Sequence, residues 1–396
     1  MQPVVLEPTS HMFDLFKAIE TPALVYDLEN LRHTLASYIE DIALVPTARL
    51  NIAVKATHTP DLLKALFASG VGADVASVRE FMLAQEIGFT EISATGPSFT
   101  SARDFQLLAD AGITLDVDSL DQLRAYGAWR PGGPVGLRIR VPHPASLNNA
   151  NTFGANSRFG VTITDASVRE SLAEFNLSVT RLHMHTGQMS PASLVHKIRY
   201  TLAIAKTMPT IGLIDLGGGF FDLFVSRITA RAALLEVRRL LEAWETETGR
   251  ALDLRFEPGG AVLAPHGYLL TRVDAIELEH PYYGRDVVQV DSSAWNCAPW
   301  HKPEVVHLNA AKRSSATADR ILAGNTLYEN DFFGTAPDVG VSSLAVPDCE
   351  VGDVLVLTNS GAYTSTNARD FNLLGRLREY AFDGSTIRPI GQWLTQ

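Results

Sequence analysis

Asn51-Ile-Ala-Val-Lys55-Ala56-Thr-His-Thr-Pro60 decides how this chain is read. A short apolar run ends on an amine and is cut off by a Thr-His-Thr-Pro turn, so Leu50–Lys55 has the length and bounds of a buried strand. Seven runs of the same kind follow: Ala73–Ala76, Glu91–Ala94, Ile113–Val117, Val135–Val141, Val179–His185, Ile211–Leu216 and Leu252–Phe256. Between them lie segments with apolar residues three and four apart, such as Asp61–Ser69, Val78–Ile87 and Ala230–Thr248, the spacing of amphipathic helices. Eight strand–helix units over about 200–250 residues are what a parallel (β/α)8 TIM barrel requires. A doubly wound open sheet has the same periodicity and stays open as the alternative.

After residue 265 the texture changes. Tyr268–Glu277, Asp286–Val290, Val305–Leu308, Arg320–Leu327 and Val354–Leu357 are strand-like, with few helical segments between them, so a mainly antiparallel β domain is expected. The early run Pro22–Tyr26 reads as a strand that pairs with that domain rather than with the barrel. The expected division is an N-terminal segment 1–30, a barrel 31–264 and a C-terminal β domain 265–396. Two domains also suit a chain of this length at roughly 150 residues each. Pro142–Phe159 is polar and Asn-rich, a long loop that is either functional or mobile.

The 396 residues are 46% hydrophobic and 19% charged, with a formal net charge of -11. No basic run or aromatic-basic stripe offsets that charge, which argues against a nucleic-acid partner. Two cysteines, Cys297 and Cys349, exclude a disulfide framework and fit a reducing compartment. The first residues lack a basic region followed by an apolar core, and no apolar stretch approaches the ~20 residues that span a bilayer. A cytoplasmic protein with no membrane partner is expected.

In a (β/α)8 barrel, ligand chemistry sits at the C-terminal ends of the strands. Lys55, Asp74, His185, Gly217–Gly219 and Glu257 all fall at or just beyond such ends and would converge on one mouth. An amine, a histidine, a glycine cradle and a carboxylate are the parts of a pyridoxal phosphate site. Lys55 would form a Schiff base with the cofactor aldehyde and exchange with a substrate amine. The backbone N–H groups of Gly217, Gly218 and Gly219 could approach the phosphate without Cβ interference. Glu257 would accept a hydrogen bond from the pyridine nitrogen and keep it protonated, and His185 could stack on the ring. Asp74 and Glu80 could be hydrogen-bonding partners around Lys55 or the cofactor. Each residue also has an ordinary reading: a solvated strand-end lysine, a tight strand–helix turn, a turn cap before Pro258, a strand-end histidine satisfied by a neighbour. No metal site is read from the sequence.

The order of the motifs reaches further. Ala-Val-Lys-Ala at 53–56 is followed by Gly-Ala-Asp-Val-Ala-Ser-Val-Arg-Glu at 72–80, Gly-Leu-Arg-Ile at 136–139 and Ser-Arg-Phe-Gly at 157–160. Leu-His-Met-His-Thr-Gly at 182–187, the glycine triplet, Glu-Pro-Gly at 257–259, and Gly-Ala-Tyr at 361–363 with Phe371-Asn372 complete the series. Over nearly the whole chain this resembles the fold-type III pyridoxal phosphate-dependent amino-acid decarboxylases, the diaminopimelate and ornithine decarboxylase family. The resemblance implies an alanine racemase-like barrel with a C-terminal β-barrel domain. It also implies a head-to-tail homodimer with active sites at the interface. It places Lys55 as the Schiff-base lysine, His185 on the ring and Glu257 at the pyridine nitrogen. Gly219 and Tyr363 would bind the phosphate, with Arg138 and Asp74 close to cofactor and lysine.

Three departures bear on the substrate. The family continues Glu-Pro-Gly with arginine, and this chain has Gly260; the backbone donors of Gly259 and Gly260 remain. The family's interface cysteine, in a Gly-x-x-Cys-[Glu/Asp] motif, corresponds to Gly324-Asn-Thr-Leu-Tyr328, with Asp331 matching a following aspartate. Tyr328, with a free pKa of about 10, would be the replacement proton donor, and Cys349 is read as structural. Where diaminopimelate enzymes carry arginine before proline, the chain has Ala298-Pro299. Ser293–Pro303 offers no carboxylate for a distal ammonium and holds Trp295, Trp300, His301 and Lys302 instead. A buried, unmatched substrate charge costs several kcal/mol, which argues against meso-diaminopimelate. The expected function is decarboxylation of an α-amino acid, or of an amino-acid unit in a larger biosynthetic intermediate, free or carrier-bound. Lys55 or Tyr328 would protonate Cα. A racemase or epimerase on the same fold, and a non-catalytic pyridoxal phosphate-binding protein, are the alternatives.

Overall fold

Short strands buried on both faces call for a closed parallel sheet covered by helices. The computed structural model describes residues 6–147, 152–297, 303–309, 311, 316–334 and 341–391. After a first strand, β1 (Ala23–Asp27), come β2 (Ala48–Ala53), β3 (Gly72–Val75), β4 (Ile92–Thr95), β5 (Leu115–Val117), β6 (Pro134–Arg138), β7 (Ser178–His183), β8 (Leu213–Asp215) and β9 (Asp253–Phe256). The strands β2 to β9 pair in chain order and close, β9 returning to β2 in parallel through Ala48↔Leu254 and Leu50↔Phe256. The barrel, and not the doubly wound sheet, is therefore the fold. All four positions of β3 are buried, which is why its sequence reads as a continuous apolar run interrupted only by Asp74.

Serines start most of the covering helices. In Val78–Ile87, Ala102–Asp110, Leu120–Trp129, Pro191–Thr207 and Arg227–Thr248, a preceding serine side chain accepts from a backbone N–H three residues on. Each cap satisfies a donor the helix itself leaves open.

The expected strands overrun the observed ones at the same end. Leu50–Lys55 leaves the sheet after Ala53, and Val54–Ala56 forms a tight 3-10 turn. Val135–Val141 and Val179–His185 leave at Arg138 and His183. A parallel ladder continues only while its neighbour does: the last pair of β7 and β8 is His183↔Asp215, where β8 itself ends. Beyond that point apolar residues still face inward, but the backbone is free to turn and carry Lys55 and His185 past the strand ends.

The second sheet contains β10 (Gly267–His280), β11 (Arg285–Val290), β12 (Val305–His307), β13 (Thr317–Ala323), β14 (Leu344–Pro347), β15 (Val354–Leu357), β16 (Arg378–Phe382) and β17 (Ile387–Ile390). Together with β1 they make nine strands in which most pairings are antiparallel, β1–β16 and β11–β13 being parallel. β1 lies between β10 and β16. A helix absent from the sequence reading, Ser10–Phe16, is capped by the Thr9 side chain. It drives Met12, Phe13 and Phe16 into a core with Val25, Tyr268, Leu270, Val356 and Phe382. The strands β14, β16 and β17 were likewise not anticipated. β13 ends at Ala323, short of the expected Leu327, because the chain turns at Gly324.

By contacts the chain forms two compact units. One comprises Leu35–Lys55 and Leu66–Ala261; the other takes the segment before Leu35, Ala56–Ala65 and everything from Val262. Ala56–Ala65 belongs with the second sheet through Tyr363 N–H donating to Ala56 O at 2.8 Å and Thr59 Oγ1 donating to Glu379 Oε2 at 2.6 Å. The described parts of the 142–159 loop are tied to the barrel: Phe153 N–H donates to Thr186 O, and Arg140 Nε donates to Ser157 O. Among the described residues, no helix is long and apolar enough to cross a membrane.

Candidate active site

The parallel register sets Ala53 beside Asp74, so the turn after β2 delivers Lys55 to the neighbouring strand. Lys55 Nζ donates to Asp74 Oδ2 at 3.1 Å, with the lysine side chain 48% exposed and the aspartate 4% exposed. A lysine side chain that is half exposed and holds its amine against a buried carboxylate can meet a ligand. Burial, followed by the nearby Glu257 charge, pushes the Asp74 carboxyl up to about 7 against the pull of Lys55. Glu80 Oε2 accepts from Ala76 N–H at 2.7 Å, and its charge acts on Asp74.

Glu257 follows the last residue of β9 and is buried. Its Oε1 accepts from Ser93 Oγ at 2.6 Å, and its Oε2 meets His183 Nε2 at 3.1 Å. Burial alone would raise its pKa; His183, then Asp215 and Lys55, outweigh burial and hold it well below the usual carboxylate range. Asp215 is driven the other way, well above that range, by burial and by the Glu257 charge. Of two adjacent buried carboxyls, Glu257 is thus the one that keeps its negative charge. Arg181 on β7 grips Asp116 with Nε and Nη2 at 3.0 and 2.8 Å, and Nη2 lies 3.5 Å from Asp215 Oδ2.

His185 stands two residues past the end of β7. Its Nδ1 accepts from Gly218 N–H at 3.2 Å, which leaves the ring proton on Nε2. Burial, then the charges of Lys55 and Arg138, hold its pKa well below the ordinary value, so the ring is neutral. Arg138, at the end of β6, pairs with Asp118 at 3.4 Å and lies over the Phe159 ring at 4.5 Å. Burial lowers its pKa, opposed by Asp118 and Glu257.

The glycines divide the work unequally. Gly217 N–H is spent on Asp215 Oδ1 at 3.0 Å and Gly218 N–H on His185. Gly219, Gly259 and Gly260 have backbone N–H groups with no acceptor among the described residues. Unpaired N–H groups around a mouth are rare and suit a phosphate, and together with the half-exposed lysine and the anionic Glu257 they fit pyridoxal phosphate. Gly219 also has φ +99°, and a Cβ there would lie 2.3 Å from Gly187 O and 2.8 Å from Met189 N. Gly219→Ala is therefore expected to cost about 1–3 kcal/mol of stability and to weaken cofactor retention. Urea unfolding and cofactor content after dialysis measure both.

The barrel unit thus brings together Lys55, Asp74, Arg138, His185, Gly217, Gly218, Gly219, Glu257, Gly259 and Gly260. Trp295, Tyr328 and Tyr363 belong to the sheet unit. There Tyr328 stacks on Trp295, ring centroids 4.7 Å apart, and Tyr363 has φ +60°. Trp300 and His301, with Ala298, Pro299 and Lys302, lie outside the described residues. The sequence reading missed Ser93, His183, Asp215 and Arg181. All four sit inside strands, and a polar residue within a doubly buried run was the signal that could have found them.

Comparison with known proteins agrees with this geometry. The family model described as "Pyridoxal-dependent decarboxylase, pyridoxal binding domain" matches residues 31–264. A diaminopimelate decarboxylase of Streptomyces coelicolor is 26% identical over 395 residues, covering 93% of this chain and 86% of the relative. That of Escherichia coli K12 is 25% identical, with coverages of 93% and 90%. Among solved structures, diaminopimelate decarboxylase from M. jannaschii in complex with L-lysine superposes with a TM-score of 0.81 at 19% identity, over 98% of this chain and 95% of that one. With more than half of its length matched by the family model, the chain belongs to the pyridoxal-dependent decarboxylases, and it is a pyridoxal phosphate-dependent carboxy-lyase acting on an amino acid.

Proposed function

We propose that Lys55 is the residue that holds the cofactor and that Glu257, His185, Arg138 and Asp74 are its working partners. The observation that carries this reading is the half-exposed Lys55 side chain, its Nζ 3.1 Å from buried Asp74, in one unit with a buried carboxylate held well below the usual carboxylate range. Bound pyridoxal phosphate supplies the electron sink for loss of the substrate carboxylate. Glu257, held anionic by His183, keeps a proton on a ring nitrogen facing it. The neutral His185 ring presents a flat face and adds no positive charge. The N–H groups of Gly219, Gly259 and Gly260 take phosphate oxygens, with Tyr363 as a further phosphate ligand. Asp74 orients Lys55 Nζ, which exchanges with the incoming amine and can return a proton to Cα. Tyr328 of a second copy is the other donor in this reading. Its side chain is 42% exposed and neighbours Leu327 at 90%, surface that suits burial in a homodimer.

The substrate in this reading is an α-amino acid, free or carrier-bound, other than meso-diaminopimelate. Gly260 lacks the arginine that the family carries after Glu-Pro-Gly, so a distal carboxylate has one charged partner fewer. The relatives are named diaminopimelate decarboxylases, and that name speaks for the opposite choice, so the test includes it directly. Carbon dioxide release is measured across L- and D-amino acids, lysine, ornithine and meso-diaminopimelate. The expected result is release from another member with meso-diaminopimelate at least about a hundredfold poorer in kcat/KM, the cost of one unpaired buried charge. Equal turnover of meso-diaminopimelate would reject the substrate assignment and leave the decarboxylase standing. Inversion at Cα without release would favour a racemase.

A further inference from the structure

The sheet unit holds a pocket that the decarboxylation reading does not use. Arg369 and Arg376 line it, with Asn296, Asp291, Phe371 and Leu374. Arg369 Cζ lies 4.3 Å from the centroid of the Trp295 ring, a stack that orients a guanidinium without neutralising it. Neither arginine has a carboxylate partner or a hydrogen bond among the described residues. The acid in the wall is already committed. Asp291 Oδ1 accepts from Thr271 Oγ1 at 2.9 Å and Arg272 N–H at 2.8 Å, and Oδ2 accepts from Thr21 Oγ1 at 2.7 Å with Arg272 Nη2 3.7 Å away. Among the described residues, the two lining arginines are thus left without a counter-charge.

Asn296 supplies a second, independent feature. It is 7% exposed, and its side-chain Oδ1 has no donor among the described residues. A buried acceptor left unmade costs about 1–3 kcal/mol, so the pocket is complete only when something offers it an N–H or O–H. Phe371 and Leu374 add apolar lining to the pocket.

We propose that this pocket binds a small molecule bearing a carboxylate, or an equivalent oxyanion, together with an N–H or O–H donor a few atoms away. Arg369 and Arg376 take the anion and Asn296 Oδ1 takes the donor. Such a ligand has two sources: the distal end of the amino-acid substrate, or a separate metabolite acting as an effector. The site stands independently of the decarboxylase assignment.

The test uses the holoenzyme, whose phosphate cradle is filled, at low ionic strength. Isothermal titration with N-acetyl-β-alanine, which carries both groups, and with glutarate, which has no donor at neutral pH, should give saturable binding. Arg369→Gln and Arg376→Gln should each weaken both probes about tenfold or more, the value of a charge-assisted hydrogen bond. Asn296→Ala should weaken N-acetyl-β-alanine and leave glutarate unchanged. Both arginine side chains are exposed, so cofactor absorbance and far-ultraviolet dichroism should match the parent. If the probe raises KM with kcat constant, the ligand is the substrate's own tail; if it alters kcat or leaves turnover untouched, it is a separate metabolite. Absence of saturable binding, or unchanged affinity in both arginine variants, overturns the proposal. Saturable, arginine-dependent binding in a protein that releases no carbon dioxide would sink the function reading and leave this site intact.

Discussion

Lys55→Ala is expected to abolish the visible absorbance of bound cofactor and to lower carbon dioxide release by at least about 10²–10⁴-fold, the range lost when a positioned proton-transfer group is removed. Loss of covalent attachment adds to that. Lys55→Arg keeps the charge beside Asp74 but has no amine that can exchange with a substrate. It should restore stability and not activity, which separates chemistry from packing. A Lys55→Ala protein that kept its absorbance band would remove the basis of the site. A pH signature accompanies the loss. The folded Asp74 carboxyl is already pushed up to about 7 by burial and Glu257 despite Lys55, and without the amine it rises further. A carboxyl whose folded pKa exceeds the unfolded value of about 4 makes the folded state bind more protons, so stability falls as pH rises through that window. In the parent the fall ends near 7; in Lys55→Ala it continues above 7. Chemical denaturation at pH 6 and 8.5 reads the difference.

Arg181→Met should be the most destabilising single change outside the apolar core. The guanidinium serves two buried carboxyls at once, Asp116 through two hydrogen bonds and Asp215 at 3.5 Å. The barrel makes room for this pair at Gly136, where a Cβ would fall 1.8 Å from Asp116 Oδ1. Removing one partner of a buried ion pair costs about 3–5 kcal/mol, because the other charge stays buried without compensation. Asp215 is already raised by burial and Glu257, and losing the opposing charge of Arg181 raises it further. The folded variant then binds more protons than its unfolded chain at neutral pH, so the destabilisation is largest at pH 7–8 and shrinks on acidification. An equal shift in urea midpoint at pH 5 and pH 7.5 would mean that the side chain acts by packing alone.

Much of the barrel was legible because a doubly buried strand leaves a local trace. Leu50–Lys55 and Leu252–Phe256 read as strands from their own composition, and the polar residue that ends the first or follows the second, Lys55 or Glu257, stood out against the apolar run. The helix Ser10–Phe16 left no such trace in the reading. Its core partners Tyr268, Val356 and Phe382 lie hundreds of residues away, and seven residues are too few for a periodicity to assert itself. β14, β16 and β17 are short for the same reason: four, five and four residues are held by their neighbours more than by their own pattern.

The sequence by itself determined the eight strand–helix units, the family and part of the set of polar residues at the strand ends. Those follow from local patterning and from motif order, while closure of the barrel was decided by the structure. Only the tertiary structure decided which groups carry charge and which donors are open. Glu257 is held anionic against its burial chiefly because His183, 74 residues away, reaches it, while Asp215 beside it is not favoured to ionise. Asp215 and His185 claim the N–H groups of Gly217 and Gly218, while that of Gly219 has no acceptor among the described residues. Ala56–Ala65 sits with the second sheet although Lys55, one peptide bond earlier, sits with the barrel. Ionisation and hydrogen-bond pairing depend on whatever lies within a few ångströms, and in this chain those neighbours arrive from strands far apart in sequence.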